Sequence, residues 1–477
     1  MRKSAGILTA LAVVVIAYVA ATWYVGKQAR SAIEQAVAQA NERMARAMVA
    51  QPGTDRATVA VVEYRRRIFS SDVVYSLRLR NESGQLQEFL LGDHLQHGPF
   101  PLDAVRGGRF VPMLALSQAQ LLPSAATQAW FDKLDGQAPV IGRTEVHFGG
   151  SAVSDWTFKP LNLAQDGEVL KFSGATMRAT FGNDYADSRV AGGFDLLDYS
   201  NGEGERMVID AVRFEYETAT EAETTRMNAT TLASRVSLEL PDESAVSLVD
   251  AAMKVSSEQN GDLATGFVRY DLGQVRSGDA DLGSLSLGVR GQDISMPAVS
   301  ELARAYDELS ARHGPQQENW RLSPEEAGLL QDRLFALLAS NPVVAFEPLV
   351  WKNDQGESSA SLSLELTRPA QPESAASLDA LLQQAVRGLD LGVRIEKPMF
   401  VRALAQLQGQ ADDPQIAAFA GELYDNYAQR LQTAGLAALA DGAATAKIVY
   451  RDGQVDANGK KMPVAEFMQR ALLVLLM

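Results

Sequence analysis

Two periodicities divide the chain. From Thr58 onward apolar and polar residues alternate. TVAVVEYRRRIFSSDVVYSLRLRNESG places Val, Tyr, Ile and Leu on one side and Arg, Glu and Ser on the other, which predicts two strands around Ser70-Ser71-Asp72. The same texture returns at VRFEYETA, ASRVSLELPD, GSLSLGVRGQDISMP, ESSASLSLELTRP and AKIVYRDGQV. Antiparallel sheet with one wet face is the natural home for it.

A helical period interrupts in the C-terminal half. In RLSPEEAGLLQDRLFALLASNP, Ser323 is placed to cap, Pro324 stands at the first helical position and Glu326 lies three residues on. Leu329, Leu330, Leu334, Leu337 and Leu338 form its apolar stripe, and Asn341-Pro342 ends it. Further helices are predicted from Leu378 to Leu389 and from Pro414 to about Ala440. The closing VAEFMQRALLVLLM is too short to cross a bilayer and is expected to dock as a terminal core helix. Pro369-Ala-Gln-Pro372-Glu-Ser is the clearest linker, either dividing a β-rich part, 54–368, from a helix-rich part, 373–477, or only joining a strand to a helix. No repeat of fixed period is present.

The N-terminus is different in kind. Residues 1–3 form a short basic tail, and residues 4–26, AGILTALAVVVIAYVAATWYVG with the preceding Ser4, carry no charge. At 1.5 Å per residue that stretch can cross a hydrocarbon core of about 30 Å. Trp23 and Tyr24 stand where an interfacial aromatic belt would sit. A cleaved secretory signal, with Val19 and Ala21 before the cut, is the rival reading. The run is longer than a signal core of about 7–15 residues, which favours a retained anchor. Both readings export the remainder. Residues 27–50, rich in Ala, Glu, Gln and Arg, predict a juxtamembrane helix with Ile33, Val37, Ala40, Met44 and Met48 along one stripe, ending at Gln51-Pro52-Gly53.

Composition narrows the function classes. The 477 residues are 46% hydrophobic and 22% charged, as a folded protein requires. Lys and Arg number 44 against 59 Asp and Glu, a net charge of -15, which opposes nucleic-acid binding and broad electrostatic adhesion to anionic lipid, though not apolar contact with a membrane. There is no cysteine, so disulfides, thiolate nucleophiles and cysteine metal sites are excluded.

Candidate chemistry is thin. GDHLQHGPFP, 92–101, holds His94 and His97, two of four histidines. On a helix this spacing, with Asp93, could present metal ligands. Gly92, Gly98-Pro99 and Pro101 argue against a helix, so the pair reads as a turn or as buried, hydrogen-bonded histidine, with His94 and His97 kept only as weak metal candidates. No Gly-x-Ser-x-Gly elbow marks an acyl-transfer nucleophile, and the Gly-rich stretches lack a phosphate-loop lysine. Asp412-Asp413 before Pro414 reads as helix capping. Arg65-Arg66-Arg67 reads as a solvated strand edge. No catalytic residue and no cofactor is assigned, and the chain is read as not an enzyme.

Four features together resemble the YdgA-like family of bacterial proteins, a domain of unknown function. They are the N-terminal anchor, HGPFPL at 97–102, SNPVVAFEPLVWKNDQGESSASLSLEL at 340–366, and IVYRDGQVDANGKKMP near the end. The resemblance implies a single-pass inner-membrane protein of a Gram-negative bacterium with its bulk in the periplasm. It supplies no reaction, cofactor or catalytic residue. Within the shared element, Gly98 and the two prolines are expected to stiffen a turn. Phe100 is expected to pin it to the core, and His97 to bond carbonyls left free by proline.

The architecture expected is α+β: a transmembrane helix, a juxtamembrane helix, then a large, mostly antiparallel, elongated or curved sheet with helices on one face. Two functions follow as expectations: an envelope protein holding a lipid or other hydrophobic ligand along its sheet, or a non-enzymatic scaffold acting through protein contacts, including homo-oligomerisation. Nucleic acid is not expected as a partner.

Overall fold

The computed structural model describes residues 57–80, 86–165, 167–183, 187–313, 322–372, 378–408, 413–451 and 453–476, with residues 22, 30, 33–35, 37, 38 and 41 ahead of them. Apart from Thr22, the expected span 4–26 lies outside the described residues. Among the described residues no helix is long and apolar enough to cross a membrane. The chain is mostly β, with 22 described strands whose pairings, where registered, are antiparallel. Compactness divides it into two units, 1–197 with 214–219, and 198–213 with 220–477.

Unit 1 is a meander. Strands β1 (Thr58–Arg66), β2 (Ser70–Arg80), β3 (Leu86–His97), β4 (Ala115–Leu122), β5 (Val140–Val146) and β6 (Ala152–Phe158) pair in order. The hairpin of β7 (Leu161–Gln165) and β8 (Glu168–Phe172) follows; β9 (Ala175–Phe181) then pairs with β6, and β10 (Ser188–Ser200) with β9. Two short helices interrupt, α1 (Leu102–Arg106) and α2 (Gln128–Lys133). Successive strand residues point to opposite faces, so β4 has two cores. Leu116 packs with Ala104 and Met113 on one face, while Leu121 packs with Phe131 and Val140 on the other.

The helix expected over 27–50 is helical at each of its described residues. Asn41 stands opposite β1: its amide donates to the Val59 carbonyl and accepts from the Val59 N–H, both at 2.8 Å. One side chain thereby satisfies a strand's unpaired edge groups. Arg30 lies over the Tyr64 ring, 5.7 Å from its centroid.

Unit 2 is built from longer strands. β11 (Arg206–Glu221) leads into β12 (Thr224–Glu239), β13 (Val246–Asn260), β14 (Leu263–Ser277) and β15 (Ala280–Ser295). Helices α3 (Met296–His313) and α4 (Pro324–Leu338) come next, then β16 (Val343–Asn353) and β17 (Gly356–Leu366). Helix α5 (Leu378–Ala385) runs straight into β18 (Val386–Glu396), which is followed by α6 (Lys397–Leu407) and α7 (Pro414–Thr433). Strands β19 (Ala438–Ala440), β20 (Ala443–Arg451), β21 (Gln454–Ala457) and β22 (Lys460–Pro463) and helix α8 (Val464–Leu476) close the chain. Pairing runs β12 to β18 in sequence order, then to β20.

The local signals for α4 and α7 are realised in atoms. Ser323 Oγ accepts from the Glu326 N–H at 3.2 Å while the Glu326 carboxylate accepts from the Ser323 N–H at 2.9 Å, a complete capping box. Asp413 caps α7 by accepting from the Gln415 N–H at 2.7 Å. Two helices are shorter than expected. The helix from Leu378 stops at Ala385, because VRGLDLGVRIE alternates and is taken up by β17. The one from Pro414 stops at Thr433, where Gly435 turns left-handed at φ 74°. The Pro369–Pro372 stretch lies between β17 and β18, which pair with each other, and the compact units part within β10 and β11 instead.

Helices cover one face of the unit 2 sheet. Tyr424 and Ala428 of α7 and Phe400 of α6 pack on Ala444. Val464 and Phe467 of α8 pack on the cluster of Ile448, Val455 and Met462, with Leu389 and Leu391. Phe335 and Leu338 of α4 pack with Ala385 and Leu366.

Candidate functional site

The histidine pair comes apart. His94 and His97 both lie on β3, three residues apart, so strand alternation sends them to opposite faces. They cannot share a metal ion. Among the described residues no group of three or more His, Asp or Glu side chains is arranged to hold one.

His97 is 1% exposed. Its Nδ1 lies 3.4 Å from the Ile68 carbonyl and its Nε2 2.9 Å from Ser71 Oγ, which is itself 3.0 Å from the Tyr64 hydroxyl. This pattern assigns Nδ1–H as the donor to Ile68; Ser71 donates to Nε2 and accepts from Tyr64. Burial holds the imidazole pKa below its usual value. A serine bonded to histidine is the opening of a nucleophile–base pair, but Ser71 has no exposed surface at all. The network ties the β1–β2 turn to the end of β3.

That network corrects two expectations for HGPFPL. The carbonyl that His97 bonds belongs to the β1–β2 turn rather than to the proline segment. The proline segment is fastened by its backbone: the Gly98 N–H donates to the Leu114 carbonyl at 2.7 Å and the Met113 N–H to the Pro99 carbonyl at 2.9 Å. Phe100 does not pin the turn inward; Met113 and Pro101 fill that core, and Phe100 is 36% exposed. Gly98 is there for lack of room, since a Cβ would stand 1.9 Å from the Met113 carbonyl oxygen.

On the opposite face His94 Nδ1 lies 2.7 Å from Asp72, which also accepts from Arg67 at 2.7 Å. The His94 hydrogen bond, then Arg67, hold the Asp72 carboxyl below its usual range. Gln96 beside it donates to Asp103 at 2.6 Å and accepts from the Asp103 N–H at 3.0 Å. At this end of β3 a cleft of about 270 Å³ is lined by Phe69, His94, Gln96, His97, Leu102 and Arg106, so both histidines border it although their rings are bonded to different partners. Behind it Asp93 is buried, accepts from Ser117 at 2.7 Å, and is pushed up by desolvation.

The second candidate lies in unit 2, where the sequence showed strands but not what covers them. Registers from β12 to β15 place Met227, Ala229 and Thr231, then Val255 and Met253, then Val268, Tyr270 and Leu272, then Val289, Leu287 and Leu285 on one face. None of these is charged. The row continues on to Phe346, Leu362 and Leu391, the face that helices cover further along. The other face of β12–β16 carries the ions: Arg226–Glu258 at 3.0 Å, Arg269–Asp271 at 2.9 Å and Arg290–Glu347 at 2.6 Å. No residue of β12, β13 or β14 is buried, and among the described residues no helix packs against these strands in more than glancing contact. Tyr270 is 44% exposed. Contiguous exposed apolar patches are in general where proteins meet ligands, partners or membranes.

Residues 1–465 match the family described as "Bacterial protein of unknown function (DUF945)", and the chain belongs to it. It is 26% identical to "Protein YdgA" of Escherichia coli (strain K12), over 98% of this chain and 96% of that protein. It is 23% identical to "Uncharacterized protein YihF" of the same organism, over 99% of each. An uncharacterized protein of Haemophilus influenzae is 28% identical over 143 residues, 29% of this chain and 37% of that one. No solved structure matches. The YdgA-like resemblance read from HGPFPL and the C-terminal motifs is thus borne out.

Proposed function

We propose that this is a non-enzymatic protein of the bacterial envelope, tethered in the inner membrane by residues 4–26 with its bulk in the periplasm, and that the uncovered face of β12–β14 holds lipid acyl chains. The observation that carries the reading is the uncharged row through Thr231, Met253, Val268 and Tyr270, left without a covering helix among the described residues. Its chemistry selects the occupant. Methionines adapt to a slender chain, small Ala and Thr residues between them leave a shallow track, and the stretch from Met227 to Thr231 across to Val268 to Leu272 carries no charged side chain on this face. The uncharged leader supports the tether and places the sheet beside a source of acyl chains.

The test is native mass spectrometry of the detergent-extracted full chain, compared with a Met253→Glu, Tyr270→Glu double variant. Both positions are partly solvated, so the variant folds, as its thermal unfolding checks. Retained phospholipid in the wild type and its loss in the variant is the expected result. A lipid-free wild type, a lipid-free homo-oligomer, or equal retention in both would overturn the reading.

A further inference from the structure

One end of unit 1 gathers a cluster of exposed apolar side chains. The β1–β2 turn, the β3–β4 connection and the β5–β6 turn all lie at this end, because Ser70 pairs with Gln96, His97 with Ala115, and Ala115 with Val146. From these three connections Ile68, Phe69, Phe100, Phe110, Val111 and Phe148 stand exposed, Phe110 by 69% and Phe148 by 55%. Around them Arg65, Arg67, Arg106 and Arg109 are each held by a carboxylate, respectively Glu63, Asp72, Asp103 and Glu145, and each side chain is still more than half exposed. Aromatic tips ringed by arginine are out of place on a freely solvated surface of a chain with a net charge of -15.

Two described helical residues ahead of β1 say which way this end faces. Asn41 is fixed to Val59 and Arg30 lies over Tyr64. Val59 and Tyr64 are five strand steps apart, about 17 Å, so Arg30 and Asn41 stand along β1 in the order opposite to its own direction. The chain N-terminal to Arg30 therefore joins unit 1 at the Tyr64 end of β1, the end bearing the apolar tips.

We propose that this end of unit 1 is a membrane-docking surface: Phe69, Phe100, Phe110 and Phe148 enter the boundary between headgroups and acyl chains of an anionic phospholipid bilayer, with the flanking arginines at the phosphates. Interfacial binding of this kind combines apolar insertion with attraction to anionic headgroups, and arginine can keep its stem in the apolar layer and its guanidinium at the headgroups. The inference rests on the tethered reading for the bilayer's proximity and is independent of whether the unit 2 sheet holds lipid.

The absence of cysteine makes the test clean. Single cysteines at Phe69, Phe110, Phe148 and, as a control at the opposite end of the sheet, Leu86 are labelled with an environment-sensitive dye in the full chain. The protein is reconstituted in vesicles of phosphatidylethanolamine and phosphatidylglycerol containing a spin-labelled phospholipid. All four positions are exposed, and circular dichroism verifies the fold. The dyes at 69, 110 and 148 should shift to the blue and lose emission to the lipid-borne quencher, while the dye at 86 stays water-exposed. Water-exposed emission at all four positions would overturn the proposal. So would a blue shift that the lipid quencher leaves untouched and that grows with protein concentration, because a second copy would then be covering the tips. Loss of lipid from the Tyr270 face leaves these signals unchanged.

Discussion

Replacing His97 with alanine, beside the same change at His94, separates a fold-holding histidine from a metal-binding pair. His97 is 1% exposed, so its removal leaves a cavity, for which a term of about 1–2 kcal/mol is reasonable. It also strips the Ile68 carbonyl and the Ser71 hydroxyl of a partner, at about 1–3 kcal/mol for a buried polar group left unpaired. Together these amount to roughly 2–5 kcal/mol, which in a unit of this size moves the melting temperature by about 4–20 °C. His94 is different. Its side chain is 41% exposed and its Asp72 partner 35%, a surface pair of about 0–1 kcal/mol. Thermal unfolding followed by circular dichroism, with and without chelator, is the assay. The expected result is a large drop for His97→Ala, a small one for His94→Ala, and no effect of chelator on either. Equal drops, or a chelator effect abolished by both variants, would refute the reasoning and restore a shared metal.

Three further outcomes follow from single contacts. Gly98→Ala forces a methyl group against the Met113 carbonyl, where backbone has to move; it should cost several kcal/mol, about 3 or more, and appear as loss of folded protein on expression. Tyr424→Phe removes the hydroxyl that donates to Ile395 at 2.8 Å and accepts from the Ala444 N–H at 2.7 Å, leaving that N–H unpaired; urea unfolding should show a loss of about 1–3 kcal/mol. The pH dependence of stability should carry a His97 component. Because burial lowers its native pKa, between that value and the usual 6.5 the unfolded chain binds a proton the native chain does not, so stability rises with pH there and is lost as pH falls below about 6.5. Asp93, raised by burial, acts in the opposite sense above the usual 3.8, so the informative quantity is the wild-type urea midpoint minus that of His97→Gln at each pH. That difference should shrink as the medium is acidified; a constant difference would remove the histidine from the account.

Local order was legible wherever the deciding interaction is itself local. The capping box at Ser323 and Glu326, the cap at Asp413 and the alternating strands depend on residues within a turn or on the two-residue period of extended chain. The limit of helix α5 was not legible, since helical propensity over Val386–Leu389 yields to pairing with β17, a partner twenty residues away. Phe100 was misjudged for a similar reason. A phenylalanine between two prolines gives no indication of which neighbour fills the core beneath it, and here Met113 does.

By itself the sequence determined the strand-rich class, the family, the exclusion of cysteine chemistry and the uncharged leader, all properties of composition and short-range pattern. Strand pairing and helix packing alone set His94 and His97 on opposite faces, leave the neutral row of β12–β14 without a helix among the described residues while its continuation is covered, and bring the phenylalanines of three connections to one end. Each of these depends on strand register and on which helix packs where. Those are contacts between residues distant along the chain, and no local pattern encodes them.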